Sequence, residues 1–263
     1  MSRARPKDFV RLLRMMGVEL APREGAGETL AHRPRRLLRR LERKGISVEY
    51  SRPRPEVLAA YGFAPATVFD IGVDQGTPLI YEAFPDAHFV LIDPLEECAD
   101  KIRRWEGKID FSFECCAVGA KPGKVTLRIP STEAKVRHSR ASALDFEPRN
   151  AAQFSAWESR EVPVRTLDQI ARGRTAPFGI KIDTEGYELE VLRGARKALK
   201  KTEFVIAEAS VKRRYKGGYR FSELIAELGR NGFEIYDFLK PLRPDAADCD
   251  VLFARWDSDR FDF

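Results

Sequence analysis

The sequence is poor in the residues that staple or metallate small folds, with four cysteines and three histidines among 263 residues. Cys98, Cys115, Cys116 and Cys249 are too few and too irregularly spaced for a disulfide framework. The adjacent Cys115 and Cys116 fall in an apparent strand, where their side chains should face opposite ways. Buried, reduced thiols are therefore expected, and with them a cytoplasmic location. The cysteines and histidines show no zinc-ligand spacing, so no metal ligands are assigned, and a magnesium site among the acids stays open. No apolar run approaches the roughly 20 residues that span a bilayer. The opening MSRARPKDF is basic but has no apolar segment and cleavage site after it, so it does not read as a secretory signal. Internal repeats and low-complexity tracts are lacking as well.

What is present fits a globular domain with a real core: 43% hydrophobic and 33% charged residues. The net charge of +6 is unevenly placed. Residues 1–54 hold 15 Lys/Arg against 6 Asp/Glu, a net of +9, and the other 209 hold 31 against 34, a net of −3. Phe9, Leu12, Leu13 and Met16 recur at helical spacing, as do Leu37, Leu38 and Leu41, and Gly45 supplies a stop. Pro53 and Pro55 then mark a boundary. This divides the chain into a basic helical extension, residues 1–55, and a main domain, residues 56–263. The basic helices admit three readings. They are a solvated cap, an element drawn to an anionic membrane surface or glycolipid, or a nucleic-acid contact. The last is disfavoured because RLLRRLER has no interleaved aromatics.

From Thr67 onward, strand and helix patterns alternate. ATVFDI, HFVLID, FSFECCAV, FGIKID and FVIAEA read as strands, and TPLIYEAF, EECADKIRRW and GYELEVLRGARKALKK as helices. Such alternation predicts an α/β fold with a mostly parallel sheet and helices on both faces. FEIYDFL and DCDVLFARW, joined through Pro241 and Pro244, predict a closing antiparallel hairpin. KVTLRI and VPVRT predict extra strands, and the polar stretch 130–160 between them predicts a lid, a binding element or a disordered insert.

The strand ends carry the chemistry. Asp70, Gly72 and Gly76 form D-x-G-x-x-x-G after the first strand, and Asp93-Pro94 tips the next. Glycines permit tight turns and close ligand approach, and an acid there can hold both ribose hydroxyls. A dinucleotide would prefer a third glycine for its pyrophosphate. Asp70 and Asp74 instead place negative charge beside the turn, which suits the sulfonium and ammonium of S-adenosylmethionine. Farther along, Lys181, Asp183 and Glu185 surround another strand tip. Asp183 is the first candidate for a general base, Glu185 the second, and His138 on the insert a third. Glu185 and Glu188 also fit a plain helix-start role. Ser139 and Ser142 on the insert, and Glu208 at the end of FVIAEA, are candidates for substrate contact. His32 and His88 receive no role.

Together FDIG-VDQ-G, LIDP, CCAVG, VPVRTLDQI and above all KIDTEGYELEVLRGA resemble the FkbM family of S-adenosylmethionine-dependent methyltransferases, over roughly Thr67 to Ser210. The resemblance implies a class I methyltransferase, Rossmann-like sheet of seven strands and methylation of a hydroxyl on a carbohydrate, glycolipid or natural-product acceptor. By position, Asp70, Gly72 and Gly76 would line the methionine end of the donor, and Asp93 would hold the ribose. Cys116 and Ala117 would border the adenine, and Asp183 and Glu185 would face the transfer site. Gly72-Val73-Asp74 departs from the common Gly-Ala-Asn, and Asp93-Pro94 from Glu-Pro, which leaves open what Asp74 contacts. Two other functions compete: RNA 2′-O-methylation through the basic N-terminus, and a non-catalytic binding module on a degenerate methyltransferase scaffold.

Overall fold

Runs such as Thr67–Ile71, with every residue buried, can only be strands covered on both faces. The computed structural model describes residues 54–132, 136, 138–240 and 246–262, all within one unit reaching from Tyr50 to Phe263. The helices expected around residues 9–16 and 37–41, and the loop with Pro241 and Pro244, lie outside the described residues.

In chain order the elements begin with α1 (Pro55–Ala60), β1 (Thr67–Ile71), α2 (Pro78–Ala83), β2 (His88–Ile92), α3 (Glu97–Ile102) and β3 (Asp110–Glu114). Next come β4 (Ala117–Val118), β5 (Gly123–Ser131), α4 (Pro148–Ala151), β6 (Ala156–Arg165), α5 (Leu167–Ile170) and β7 (Phe178–Ile182). The chain closes with α6 (Glu188–Arg193), α7 (Arg196–Leu199), β8 (Thr202–Ser210), α8 (Phe221–Arg230), β9 (Phe233–Phe238) and β10 (Asp248–Arg255).

Seven strands form the main sheet in the order β3-β2-β1-β7-β8-β10-β9. The first five are mutually parallel, while β10 runs antiparallel to both β8 and β9. This is the class I methyltransferase arrangement, with the expected closing hairpin inserted so that β10 lies inside it. Strand order reverses between β1 and β7, so the ligand crevice belongs at their C-terminal tips. Alternate side chains feed two cores: Phe69, Ile71, Ile180 and Ile182 with α6 and α8 on one face, Val68, Phe89, Leu91 and Phe204 with α2 on the other.

Three expectations change. FSFECCAV is not one strand: β3 ends at Glu114, β4 begins at Ala117 in a second sheet of order β4-β6-β5, and the cysteines form the turn between them. Cys116 is buried but Cys115 is exposed, and all four thiols are free. The insert is shorter than expected, because β5 and β6 pair from Gly123–Val164 to Ser131–Ala156 and claim both its ends. The helix over GYELEVLRGARKALKK breaks at Gly194, where a Cβ would lie 2.1 Å from the Gly119 carbonyl oxygen. Close packing of this helix pair on the end of β4 thus excludes a side chain there.

Phe204 is fully buried, 5.0 Å from the Phe63 ring and stacked at 5.1 Å on Phe84. Phe204→Ala should cost about 3–5 kcal/mol in equilibrium urea unfolding, because it removes a fully buried ring and leaves a cavity. A loss below about 1 kcal/mol would show that this core is not tightly packed.

Candidate active site

The turn after β1 is built against the tip of β7. Gly72 has φ +79°, and a Cβ there would sit 1.7 Å from the Asp183 carbonyl oxygen. The Gly72 N–H donates to the Ile92 carbonyl at 2.9 Å, and the Asp183 N–H to that of Ile71 at 2.9 Å. The tips of β1, β2 and β7 are thereby tied together. Gly76, at φ +101°, serves packing: a Cβ would meet the Trp105 indole nitrogen at 2.2 Å. That indole donates to the Gln75 carbonyl at 2.8 Å.

Asp93 sits at the end of β2 with its carboxylate facing back into the turn. Oδ2 accepts the Asp74 N–H at 3.1 Å and Oδ1 the Leu95 N–H at 3.0 Å. Burial raises its pKa, and the two N–H groups oppose that shift. Asp70 is placed differently from the expectation. It is completely buried, sharing a face of β1 with Val68 rather than facing the crevice. Tyr81 donates to it at 2.6 Å, Thr77 at 3.2 Å, and Lys181 pairs with it at 3.4 Å. The Asp74 carboxylate is likewise met by Lys101. Both charges expected to await a cationic ligand are therefore already paired.

A cavity of about 470 Å³ opens over these strand tips, within the ordinary size of a small-molecule site. Gly72, Asp74, Gly76, Asp93 and Pro94 line it from the β1–β2 side, with Cys116 and Ala117 from the β3–β4 turn. Asp183, Glu185 and Glu208 line it from β7 and β8, and Ser139 from the insert. Burial pushes the Cys116 thiol up to about 11, so it is an apolar wall group at neutral pH. Asp70 and Ser142 do not line the cavity. His138 opens a short turn of 3-10 helix, and its side chain lies outside what the structure describes.

One oxygen each of Asp183, Glu185 and Glu208 lies within 4.8 Å of the others. These are the described groups that could converge on a divalent cation, but here protein cations meet them. Lys181 reaches Asp183 at 3.4 Å; Arg214 binds Glu185 and reaches Glu208 at 3.2 Å and Asp248 at 3.3 Å. Glu185 is the most heavily used. Its buried carboxylate also accepts from Tyr215 and, at 3.3 Å, from Arg140 of the insert. Its backbone, at φ +50°, offers its carbonyl to the Ser142 hydroxyl at 2.7 Å. The insert is thus fastened to the β7 turn, and its Phe154 packs edge to face with Phe146 and Trp157, as Phe146 does with Tyr215. Glu188, for which a helix-start role was weighed, accepts the Thr184 and Gly186 N–H groups at 2.9 and 3.0 Å and so shapes the same turn.

Sequence reasoning missed Arg214, Tyr215 and Asp250. The cationic run VKRRYKGGYR directly after β8 was the available signal for the first two. Asp250 falls in the alternation of DCDVLFAR, which gives no sign that β10 would bring it beside Glu208.

Glu208 offers a pH handle. Burial, reinforced by Asp183, Asp248 and Glu185 against the pull of Arg214, pushes its carboxyl from 4.5 up to about 9. The folded chain therefore holds a proton that the unfolded chain has released. Its contribution to stability is complete below about pH 4.5 and is lost as pH rises towards about 9. Glu208→Gln should gain on the wild type in urea unfolding when the pH is raised from about 5 to about 9. An unchanged difference across that range would assign the bound proton to another group.

Comparison with known proteins adds a family. The methyltransferase FkbM domain matches residues 62–235. Among crystal structures, a methyltransferase FkbM from Methylobacillus flagellatus KT is similar at 19% identity and a TM-score of 0.46, covering 72% of this chain. This chain spans 43% of that protein. The magnesium protoporphyrin IX methyltransferase of Synechocystis PCC 6803, with bound S-adenosylmethionine, is similar at 13% identity and a TM-score of 0.44, over 95% of this chain and 92% of that one. No curated protein matches by sequence. Through residues 62–235 the chain belongs to the family of the methyltransferase FkbM domain.

Proposed function

We propose that the cavity at the tips of β1, β2 and β7 takes S-adenosylmethionine, and that the chain methylates a hydroxyl of a carbohydrate, glycolipid or natural-product acceptor. The observation that carries this reading is the convergence on one cavity of the Gly72 turn, the Asp93 carboxylate and the Asp183 cluster. The lining fits the donor. Asp93, Asp183 and Asp250 give it acidic character suited to a cation, Glu208 adds a protonated carboxyl, and Leu95, Ala117, Val118 and Leu127 offer an apolar wall for a flat base. The donor, when bound, supplies an electrophilic methyl group.

The protein's part is positioning and proton removal. Each Asp93 oxygen keeps a lone pair beyond its backbone N–H and can accept from a ribose hydroxyl. An alcohol is a poor nucleophile, so a base within hydrogen-bond reach is worth about 10²–10⁴ in rate. Asp183 suits that role better than Glu185. Its side chain is about a third exposed, with Lys181 at 3.4 Å as its one ion-pair partner among the described residues. The Glu185 carboxylate is occupied by Arg214, Tyr215 and Arg140. Lys181 steadies Asp183 without masking it. Burial pulls the lysine ammonium down, but Asp183, Asp70 and Glu208 outweigh this and hold it above its ordinary range. Tyr187, Ser139 and Arg104 add hydrogen-bonding groups to the lining, which suits a hydroxyl-rich acceptor.

Two substitutions separate the roles. Asp93→Ala should weaken binding of S-adenosylhomocysteine by about 1.5–3 kcal/mol in calorimetry, the worth of hydrogen bonds to a charged group. Unchanged affinity would remove Asp93 from the donor site. Asp183→Asn should lower turnover by about 10²–10⁴ while donor affinity holds within about twofold; an equal loss of both would assign Asp183 to the architecture instead.

A further inference from the structure

A second cavity, also of about 470 Å³, lies on the other side of the Glu185 turn. Gly186, the next residue along, lines it, as do Arg214 and Tyr215, whose side chains hold the Glu185 carboxylate. Most of its wall comes from the segment Val211–Arg220, VKRRYKGGYR, which carries five cations in ten residues and no acid. Lys212, Arg213, Arg214 and Arg220 all face the cavity, against a single lining acid, Glu147.

These cations are not equivalent. Arg214 is buried and committed to Glu185, Glu208 and Asp248. Arg213 and Arg220 are exposed, and among the described residues neither makes an ion pair. Backbone is open here too: Gly217 has φ +69°, with nothing within 4 Å of where a Cβ would stand. The ten-residue α8 starts at Phe221, itself a lining residue, so the positive end of its dipole adds to the local field. Glu223 of that first turn accepts the Arg220 N–H at 2.7 Å and does not line the cavity. Like charges gathered round a concavity repel one another, and a bound anion relieves that repulsion while drawing charge-assisted hydrogen bonds from the guanidinium forks.

We infer that this cavity binds a phosphate or carboxylate group carried by the acceptor, so that the methylated substrate is an acidic or phosphorylated sugar rather than a neutral one. Anion binding stands on the cavity alone, whereas its assignment to the acceptor rests on the methyl-transfer reading of the neighbouring site. The link between them is short. Gly186 lies one residue, about 3.8 Å along the backbone, from Glu185 of the transfer site. Arg214 reaches from the wall of the second cavity to Glu208 of the first.

The test uses the full chain and calorimetry, with a hexose phosphate, a hexuronic acid, the corresponding neutral hexose and S-adenosylhomocysteine as probes. The wild type should bind the hexose phosphate or the hexuronic acid more tightly than the neutral hexose. The double variant Arg213→Ala/Arg220→Ala should weaken that binding at least about 10-fold and leave S-adenosylhomocysteine affinity within about twofold, which also reports an intact fold. Arg213→Glu alone should reproduce the loss. Equal binding by wild type and variants, or no preference for the charged sugars, would overturn the inference. Arginine-dependent binding of an RNA oligonucleotide or of anionic vesicles, without binding of either sugar, would overturn it as well. Sugar-anion binding by a chain that takes no S-adenosylhomocysteine would overturn the acceptor assignment through its premise while leaving an anion site.

Discussion

The geometry of the candidate site depends on a contact that only glycine permits. At Gly72 the turn after β1 presses onto the Asp183 carbonyl at a distance that no other residue could accept. The reciprocal Asp183 N–H to Ile71 bond closes the same seam. Because β1 and β7 are neighbours at the point where strand order reverses, the seam joins the two halves of the sheet. One half supplies Asp93, the other Asp183. The spacing of the strand tips that carry them is therefore set by backbone packing. Lys181 extends the seam into charge, sitting between buried Asp70 and Asp183.

A second fastening surrounds Glu185. Its carboxylate takes Arg214, Tyr215 and Arg140, and its carbonyl takes Ser142, so one residue ties the β7 turn, the loop after β8 and the insert. Buried ion pairs contribute little net stability against an apolar alternative. Their better-attested use is to select one arrangement among several, because removing one partner leaves an uncompensated buried charge. Here the selected arrangement brings the insert over the strand tips, where Ser139 reaches the cavity lining.

The strands of the main sheet were legible because strands covered on both faces must be nearly continuous apolar runs. The turn after β1 was legible because two glycines and two strand-tip acids stand at fixed spacing. What the pattern concealed was orientation. An acid at the end of VFDI reads as a ligand-facing group, yet period two puts Asp70 on the Val68 side, towards Tyr81. The long β6 was concealed for the opposite reason. AWESRE alternates polar residues over a half-exposed face and reads as loop until VPVR restores the apolar signal. Arg214 and its neighbours were hidden by summation, because the net of −3 over residues 55–263 averages a cationic loop with acidic strand tips.

That averaging bears on how the two cavities work. Glu185 lines the first and Arg214 the second, so their ion pair joins the linings of an acidic and a basic cavity. In a buried setting of low effective dielectric such a pair is felt on both sides. A cation on the Glu185 side and an anion on the Arg214 side each sit at the favourable end of the same dipole. On the proposed reading, a donor carrying a sulfonium and an acceptor carrying an anion match the two linings, whereas a neutral acceptor would leave the basic one unanswered.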